Sequence, residues 1–302
     1  MWFVVAVQIV VPLLLISVIA ISRQPSRLRW LGTLIAFGMV ISYLLVSSRW
    51  DTSSLYMRAL IPVLFIVASV AGYRRIRAAE KTGKLQATVF WAINLVLIVV
   101  MSGFLWFALQ GFRVPEGTVD LASPLKGTHV VVNGGVSPFT NAHHKVHPQD
   151  FAFDIVGVNA LGARASLFGS HRDLEGYVIY GAPIFSPCDG MISAVVNDLP
   201  DHTPPVRDTE NPAGNHVLIE CGSIEVLLAH MRQHSVRVTV GNVVAAGDLI
   251  GDVGNSGNTS EPHLHIHAER GGDPGVILNG EAVPITIGGR FLVRNSIFRT
   301  IR

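Results

Sequence analysis

Four long apolar segments dominate the first third of the chain, and short polar connections separate them. They cover residues 2–21, 30–46, 55–71 and 87–109. A helix needs about 20 apolar residues to cross the roughly 30 Å hydrocarbon core of a bilayer, and the second and third segments lie at the short end of that range. Charged residues are nearly absent from all four, so they predict transmembrane helices and not the buried helices of a soluble core. The first segment has no basic residue before it, which favours a retained helix over a cleaved secretory signal.

The basic residues of the connections predict how these helices are oriented. The first and third connections carry most of them, at Arg23, Arg27, Arg29, Arg74, Arg75, Arg77, Lys81 and Lys84. The second connection has Arg49 and Arg58 together with Asp51. Connections rich in arginine and lysine stay on the cytoplasmic side of a membrane. Four spans then place both termini, and everything after residue 113, on the periplasmic or cell-wall side.

After the fourth segment the composition changes to that of a soluble protein rich in glycine, proline and histidine. Short runs of valine and isoleucine, broken by turn-forming residues, predict strands at residues 129–133, 191–196, 216–220, 224–230, 235–240, 249–253 and 263–268. Helical periodicity is nearly absent, so these runs predict an antiparallel all-β domain. The predicted organisation is a multi-pass helical membrane region at 1–112, a linker at 113–127, the β-domain at 128–290 and a C-terminal tail at 291–302.

Charge and cysteine content narrow the function further. A formal net charge of +2 is too small to favour nucleic acid, so we expect no nucleic-acid partner. The two cysteines, Cys188 and Cys221, fit neither a zinc ribbon nor a disulfide scaffold. We interpret them as two small buried residues, with a single bridge in an oxidising compartment as the open alternative.

All twelve histidines lie in the second part of the chain, and three of them alternate near its end. Alternate side chains of a strand share a face, so His263, His265 and His267 are predicted to project to one side. Leu264 and Ile266 then face the core. Two imidazoles at i and i+2 are suited to zinc. The polar outer face of a half-buried strand explains the same pattern without a metal.

Two other motifs contain possible metal ligands. His230 ends an apolar strand, and a pair of histidines, His143 and His144, precedes Asp154. Asp154 lies between apolar residues, where a carboxylate needs a partner because burying it alone costs several kcal/mol. Taken singly, each of these residues is also explained by a structural role. A metal and a salt bridge remain equal alternatives for Asp154.

Taken together, the motifs resemble the lysostaphin/LytM-type zinc metallopeptidases, whose β-domain is called the duplicated hybrid motif. The resemblance covers about residues 128–285. The family's closing motif, G-x-S-G-x-T-x-x-P-H-L-H, is matched in full by residues 254–265, and its A-H-[LM] motif by residues 229–231. Its G-x-P-[VI]-x-[AS]-x-x-x-G and G-N-x-[VI] elements are matched by residues 181–190 and 214–217.

One departure concerns the first metal ligand. The usual H-x-x-x-D spacing would place a histidine at residue 150, which is aspartate here. A branch of the family has N-x-H before Q-x-[YF]-A-x-D, and residues 141–154 match that form. The resemblance therefore implies His143 as the ligand, with His144 and then His147 as alternatives.

The resemblance also implies a mechanism. Zinc would be held by His143, Asp154 and His265. His230 and His263 would lie beside the zinc-bound water, one as the base and the other stabilising the oxyanion. His267 lies outside the family's essential residues, so we place it beside the ligands or on the surface.

The implied function is that of a membrane-anchored zinc metalloendopeptidase acting on peptidoglycan stem or cross-bridge peptides. The alternative is an inactive module that binds peptidoglycan or activates a hydrolase. Such members usually lack a ligand, whereas this chain keeps Asp154, His230, His263 and His265. A membrane signalling protein and a cupin-like metal enzyme explain fewer of the motifs. The long insertion after Asp154 is expected either to reshape or to cover the cleft, so the resemblance implies the substrate less firmly than the fold.

Overall fold

The computed structural model describes residues 2–76, 83–166 and 169–300. The chain divides into two compact units, Met1–Leu109 and Gln110–Arg302. The first unit is helical and the second consists mainly of β-strands.

The four predicted apolar segments are α-helices in the first unit. Their bounds are Trp2–Ile21 for α1, Arg27–Ser47 for α2, Leu55–Tyr73 for α3 and Lys84–Gln110 for α4, with a 3-10 helix at Trp50–Thr52. Ser26 and Ser54 begin α2 and α3 as N-caps, because their side chains accept backbone N–H groups that have no partner within the helix. All four helices are long and apolar enough to cross a membrane. Arg77 and Lys81 of the predicted basic connection lie outside the described residues.

Thirteen short strands are described in the second unit. They are β1 Val119–Leu121, β2 Gly127–Asn133, β3 Phe153–Gly157, β4 Pro183–Phe185, β5 Gly190–Val196, β6 Asn215–Cys221, β7 Ile224–Met231, β8 Val243–Val244, β9 Leu249–Asp252, β10 Leu264–Arg270, β11 Glu281–Val283, β12 Ile285–Ile287 and β13 Ile297–Thr300.

Nine of these strands form one antiparallel sheet, which agrees with the predicted antiparallel β-domain. Its order is β13-β2-β3-β10-β7-β6-β5-β8, and β11 also pairs with β10. Strands β4 and β9 form a separate antiparallel pair, whereas β1 and β12 pair in parallel. The middle of the large sheet is therefore β3, β10 and β7, the three strands that carry most of the predicted site residues.

The hydrophobic core lies against one face of these central strands. Leu264 and Ile266 of β10 are fully buried in it, together with Phe153 and Ile155 of β3 and Leu228 of β7. This confirms the alternation predicted for β10. Because the apolar residues take one face, the histidines between them are confined to the other face.

Three sequence expectations differ from the structure. Residues 235–240 form no strand, because several of their N–H groups donate to side chains of loop residues, such as that of Val236 to Asn197 and that of Thr239 to Asn242. The segment predicted as a linker contains β1, and the segment predicted as a tail contains β13, which pairs with β2 at the sheet edge. Both strands have partners far away in sequence.

The interpretation of the cysteines as separate buried residues is wrong. Cys188 and Cys221 form a disulfide, and their Cα atoms are 5.9 Å apart. Cys221 ends β6, and Cys188 lies just before β5, its antiparallel neighbour. Antiparallel pairing thus brings together two residues that lie 33 positions apart.

Candidate metal centre

Three adjacent strands deliver the principal side chains of the site. His265 of β10 lies opposite Asp154 of β3 on one side and opposite Ala229 of β7 on the other. His230 follows Ala229 and has a positive φ of 62°, an uncommon conformation for a residue with a side chain. Register therefore brings His230, His265 and Asp154 to the same end of the sheet.

His143 joins this group from outside the sheet. It lies in a 3-10 helix, Ala142–Lys145, whose N-cap Asn141 accepts the N–H of His143 at 3.0 Å. Nε2 of His143 is 2.8 Å from Oδ2 of Asp154, and Nδ1 of His265 is 2.9 Å from Oδ1 of the same carboxylate. Asn133 donates to Asp154 at 2.7 Å and so fixes the carboxylate.

One atom from each of His143, Asp154 and His265 lies within 4.8 Å of the other two. Two imidazole nitrogens and one carboxylate oxygen match the three-ligand set of catalytic zinc sites. Of the upstream histidines, the structure brings His143 into this group. His147 is instead exposed and lies 3.0 Å from Asp150.

His230 and His263 lie side by side next to the group, with ring centroids 4.8 Å apart. Nδ1 of His230 is 2.9 Å from the carbonyl oxygen of Ser256, and Nδ1 of His263 is 2.8 Å from that of Glu261. A carbonyl oxygen only accepts hydrogen bonds, so both Nδ1 atoms carry the proton. Nε2 of His230 is thereby left with a lone pair, while Nε2 of His263 lies 3.5 Å from Asp154. Burial alone would lower the pKa of His263, but the Asp154 carboxylate outweighs it and raises that pKa.

Burial and charge set the protonation of the group. Burial, with the neighbouring His263 and His265, holds the pKa of His230 well below its usual range. Burial likewise lowers the pKa of His265 to about 3. Burial alone would raise the pKa of Asp154, but His143 and His263 outweigh it and hold that pKa well below the usual value. An ionised carboxylate beside a neutral imidazole is the state that binds a cation.

Two residues beyond His265 extend the group along the strand. Nε2 of His265 is 2.9 Å from Nδ1 of His267, and Nε2 of His267 is 2.8 Å from a carboxylate oxygen of Glu269. All three side chains are buried, so the surface position considered for His267 is wrong. Glu269 was missed by the sequence analysis, although the alternation at 263, 265 and 267 continues to it.

The spacing of the glycine motifs has a local explanation at the end of β7. The hydroxyl of Ser256 accepts the N–H of Asn215 at 2.9 Å and donates to the carbonyl oxygen of Met231 at 2.7 Å. The Asn215 amide donates to the same carbonyl oxygen at 3.1 Å. The G-N and G-N-S-G elements thus meet around β7 and hold His230 in place.

A cleft opens beside the cluster. Its volume is about 200 Å³, and His143, His230 and His265 are among its polar lining residues, with Gln149 and Asn258. Apolar side chains form much of the remainder, among them Leu227, Ala229, Ile277 and Leu278. The arrangement offers charged and proton-carrying groups at the edge of a mainly apolar cleft.

The insertion after Asp154 is attached to the site by an ion pair. Arg164 approaches Glu261 at 2.6 Å, and both side chains are largely buried. Glu261 lies two residues before His263. Residues 167 and 168 of the insertion are outside the described residues.

An antiparallel β-domain with a His–Asp–His cluster beside a cleft offers the donor atoms for a single metal ion. Residues 171–276 match the family model described as Peptidase family M23, and the β-unit is a LytM-type domain of that family. His143 and Asp154 lie upstream of the matched residues. No curated protein sequence matches the chain significantly.

Three solved structures illustrate the similarity. A Pseudomonas aeruginosa protein assigned to the M23 peptidases is 24% identical, with 34% of this chain and 40% of that chain covered and a TM-score of 0.24. LytU is 25% identical, with 34% and 62% covered and a TM-score of 0.26. The catalytic domain of the antimicrobial peptidase lysostaphin from Staphylococcus simulans is 20% identical, with 36% and 78% covered and a TM-score of 0.24. The chain therefore spans less than two thirds of the first two.

Proposed function

We propose that this protein is a membrane-anchored zinc metalloendopeptidase that hydrolyses peptide bonds in peptidoglycan stems or cross-bridges. The observation that carries the proposal is the convergence of His143, Asp154 and His265 on one point next to a cleft, in a domain of Peptidase family M23. Similarity to the family indicates peptide-bond hydrolysis as the reaction, and His143, Asp154 and His265 are the residues that would hold the metal ion for it.

The donor atoms fit zinc in number and kind. Two imidazole nitrogens and a carboxylate oxygen leave a fourth tetrahedral position for water. Bound zinc lowers the pKa of such a water to about 7, so that hydroxide is available near neutral pH. His143, Asp154 and His265 would hold the ion. Asn133 and Asn141 would hold Asp154 and the His143 backbone in position through the hydrogen bonds described above.

His230 and His263 handle protons in this proposal. Each donates its Nδ1–H to a backbone carbonyl oxygen, so Nε2 is the atom of each ring that exchanges a proton. One Nε2 accepts the proton of the attacking water, and the other ring, once protonated, donates to the carbonyl oxygen of the scissile bond as charge develops there.

The cleft supports a peptide as substrate. His143 and His265 of the cluster line it, and much of its remaining wall is apolar, so a short aliphatic side chain would fit beside the scissile bond. Lysostaphin is described as an antimicrobial peptidase, and peptidoglycan is the substrate that the family resemblance implies.

The helical unit supports a membrane location. Large apolar side chains along α3 and α4 are mostly exposed, among them Ile66, Val67, Val96 and Val99. Such a surface is suited to lipid and not to water. We propose four spans with the β-unit on the periplasmic or cell-wall side. A reporter fused to the C-terminus, active only outside the cytoplasm, checks this topology.

The direct test uses the full chain in detergent micelles with purified peptidoglycan. Zinc-loaded protein should release soluble peptide fragments, and a chelator or the His265→Ala change should stop the release. Mass spectra of the fragments then identify the bond. A zinc-loaded protein that binds peptidoglycan but releases nothing contradicts the peptidase proposal and favours the inactive binding module.

A further inference from the structure

We propose that Glu269 and His267 form a relay of hydrogen bonds that favours a proton on Nε2 of His265, so that its Nδ1 presents a lone pair to the metal. Both would be positioning residues for the centre. The inference rests on the proposed function, because it concerns the same cluster of His143, Asp154 and His265.

The relay begins at the carboxylate of Glu269, which can only accept hydrogen bonds. Glu269 is buried, and its oxygens accept the backbone N–H groups of Leu278 at 3.0 Å, Asn279 at 3.0 Å and Gly280 at 2.7 Å. Three such donors stabilise the ionised form of a carboxylate. An ionised carboxylate has no proton to give, so His267, 2.8 Å away, must donate its Nε2–H to Glu269.

The position of that proton determines the rest of the relay. A neutral imidazole with its proton on Nε2 has an acceptor at Nδ1. Nδ1 of His267 is 2.9 Å from Nε2 of His265, so the relay favours a proton on Nε2 of His265. Nδ1 of His265 lies 2.9 Å from the ionised Asp154, which draws the same proton towards Nδ1. The relay opposes that pull and so favours a free lone pair on Nδ1 for a cation.

The opposite tautomer would not bind a metal at this point. A proton on Nδ1 of His265 would occupy the space where the ion has to approach the ring. Residues that hold a metal-bound histidine from its second nitrogen typically change metal affinity by about 10–100-fold when they are replaced. The relay thus links the Glu269 carboxylate to the metal ligand His265 through one ring, that of His267, and all three side chains are buried.

The chain provides a matched control on the next strand. Glu225 of β7 lies directly opposite Glu269 in the sheet, and it accepts the N–H of Gly275 at 2.9 Å. It also accepts from the Ser193 hydroxyl. Glu225 thus holds a nearby part of the same loop and carries the same charge, but its described side-chain contacts include no histidine.

The experiment measures zinc affinity of the full-length protein in detergent by competition with a fluorescent chelator. Glu269→Gln should raise the zinc dissociation constant about 10–100-fold, because a side-chain amide cannot accept from every donor around it. His267→Leu should do the same without touching the loop at residues 278–280. Glu225→Gln should stay within about twofold of the wild type.

A second readout reports the tautomer itself. Nitrogen shifts of the His265 ring in the zinc-free protein should show a larger share of the tautomer with the proton on Nε2 in the wild type than in Glu269→Gln. An equal share in the two proteins would overturn the relay. So would Glu269→Gln and His267→Leu proteins that bind zinc as tightly as Glu225→Gln. Failure of the wild type to bind zinc would instead remove the proposed function, and the relay with it.

Discussion

Replacing Gly214 by alanine should disturb the fold and the site together. Gly214 precedes β6 with a φ of +60°, and a Cβ placed on it would overlap the carbonyl oxygen of Ser256. Ser256 belongs to the G-N-S-G motif, and its carbonyl oxygen accepts Nδ1–H of His230. Because the obstacle is backbone, it cannot rotate away, and one of the two loops has to move.

The loss of stability in Gly214→Ala is the sum of two contributions. A residue with a side chain in the left-handed region costs about 1 kcal/mol relative to glycine. Forcing the loops apart adds about 1–3 kcal/mol, as overpacking of a core does. Gly222→Ala is the matched control, since Gly222 has a φ of +67° but no atom within 4 Å of the place that a Cβ would take. Gly222→Ala should therefore show the first contribution alone.

Hydrogen exchange of the β6 and β7 amides in the full-length protein measures the difference in stability between Gly214→Ala and Gly222→Ala, because it reports the free energy of local opening. We expect Gly214→Ala to lose about 1–3 kcal/mol more than Gly222→Ala. Peptidoglycan hydrolysis should fall in Gly214→Ala because His230 is displaced, and should be preserved in Gly222→Ala. Equal losses of stability in the two variants would refute the argument from the clash.

Three further predictions concern stability. Burial lowers the pKa of His129 from 6.5 to about 4, so folding favours the neutral ring. The contribution of His129 to the unfolding free energy is complete above about pH 6.5, and it falls by about 3 kcal/mol as the pH drops towards 4. Thermal melts of His129→Gln across that range should show a weaker acid dependence than the wild type. Arg164→Met removes the guanidinium from the buried Glu261, and should cost about 3 kcal/mol in the opening energy of β10. Adding Glu261→Gln should recover part of that loss, and no recovery would contradict the ion-pair account. Cys188→Ala/Cys221→Ala opens a link across 33 positions and should lower the unfolding free energy by about 4 kcal/mol in chemical denaturation. An unchanged midpoint would contradict this.

The sequence predicts best those parts of the fold whose pattern is local. The four helices and the longer strands β2, β5, β6, β7 and β10 have unbroken apolar or alternating runs, and the structure has an element at each. Strands β1 and β13 have three and four residues, and their partners lie more than 160 positions away. So short a run contains no periodicity, and its pairing is settled by tertiary contacts that a local pattern cannot show.

The site residues likewise divide into those that a local sequence pattern predicts and those that it does not. The H-x-H motif and strand alternation indicate the common face of His263 and His265, and the structure has them there. His143 required a family resemblance, because it reaches Asp154 from a 3-10 helix outside the sheet. Glu269 required the structure, since its importance comes from a loop that folds back onto it.

The measurement that tests the central claim most directly is fragment release from peptidoglycan by three zinc-loaded proteins: the wild type, His143→Ala and His144→Ala. The two variants change neighbouring residues on the same 3-10 helix, but His143 lies 2.8 Å from Asp154, and the cluster of donor atoms includes His143 and not His144. The account predicts release by the wild type and His144→Ala, and none by His143→Ala. Release that survives His143→Ala, or that is lost only in His144→Ala, would contradict it.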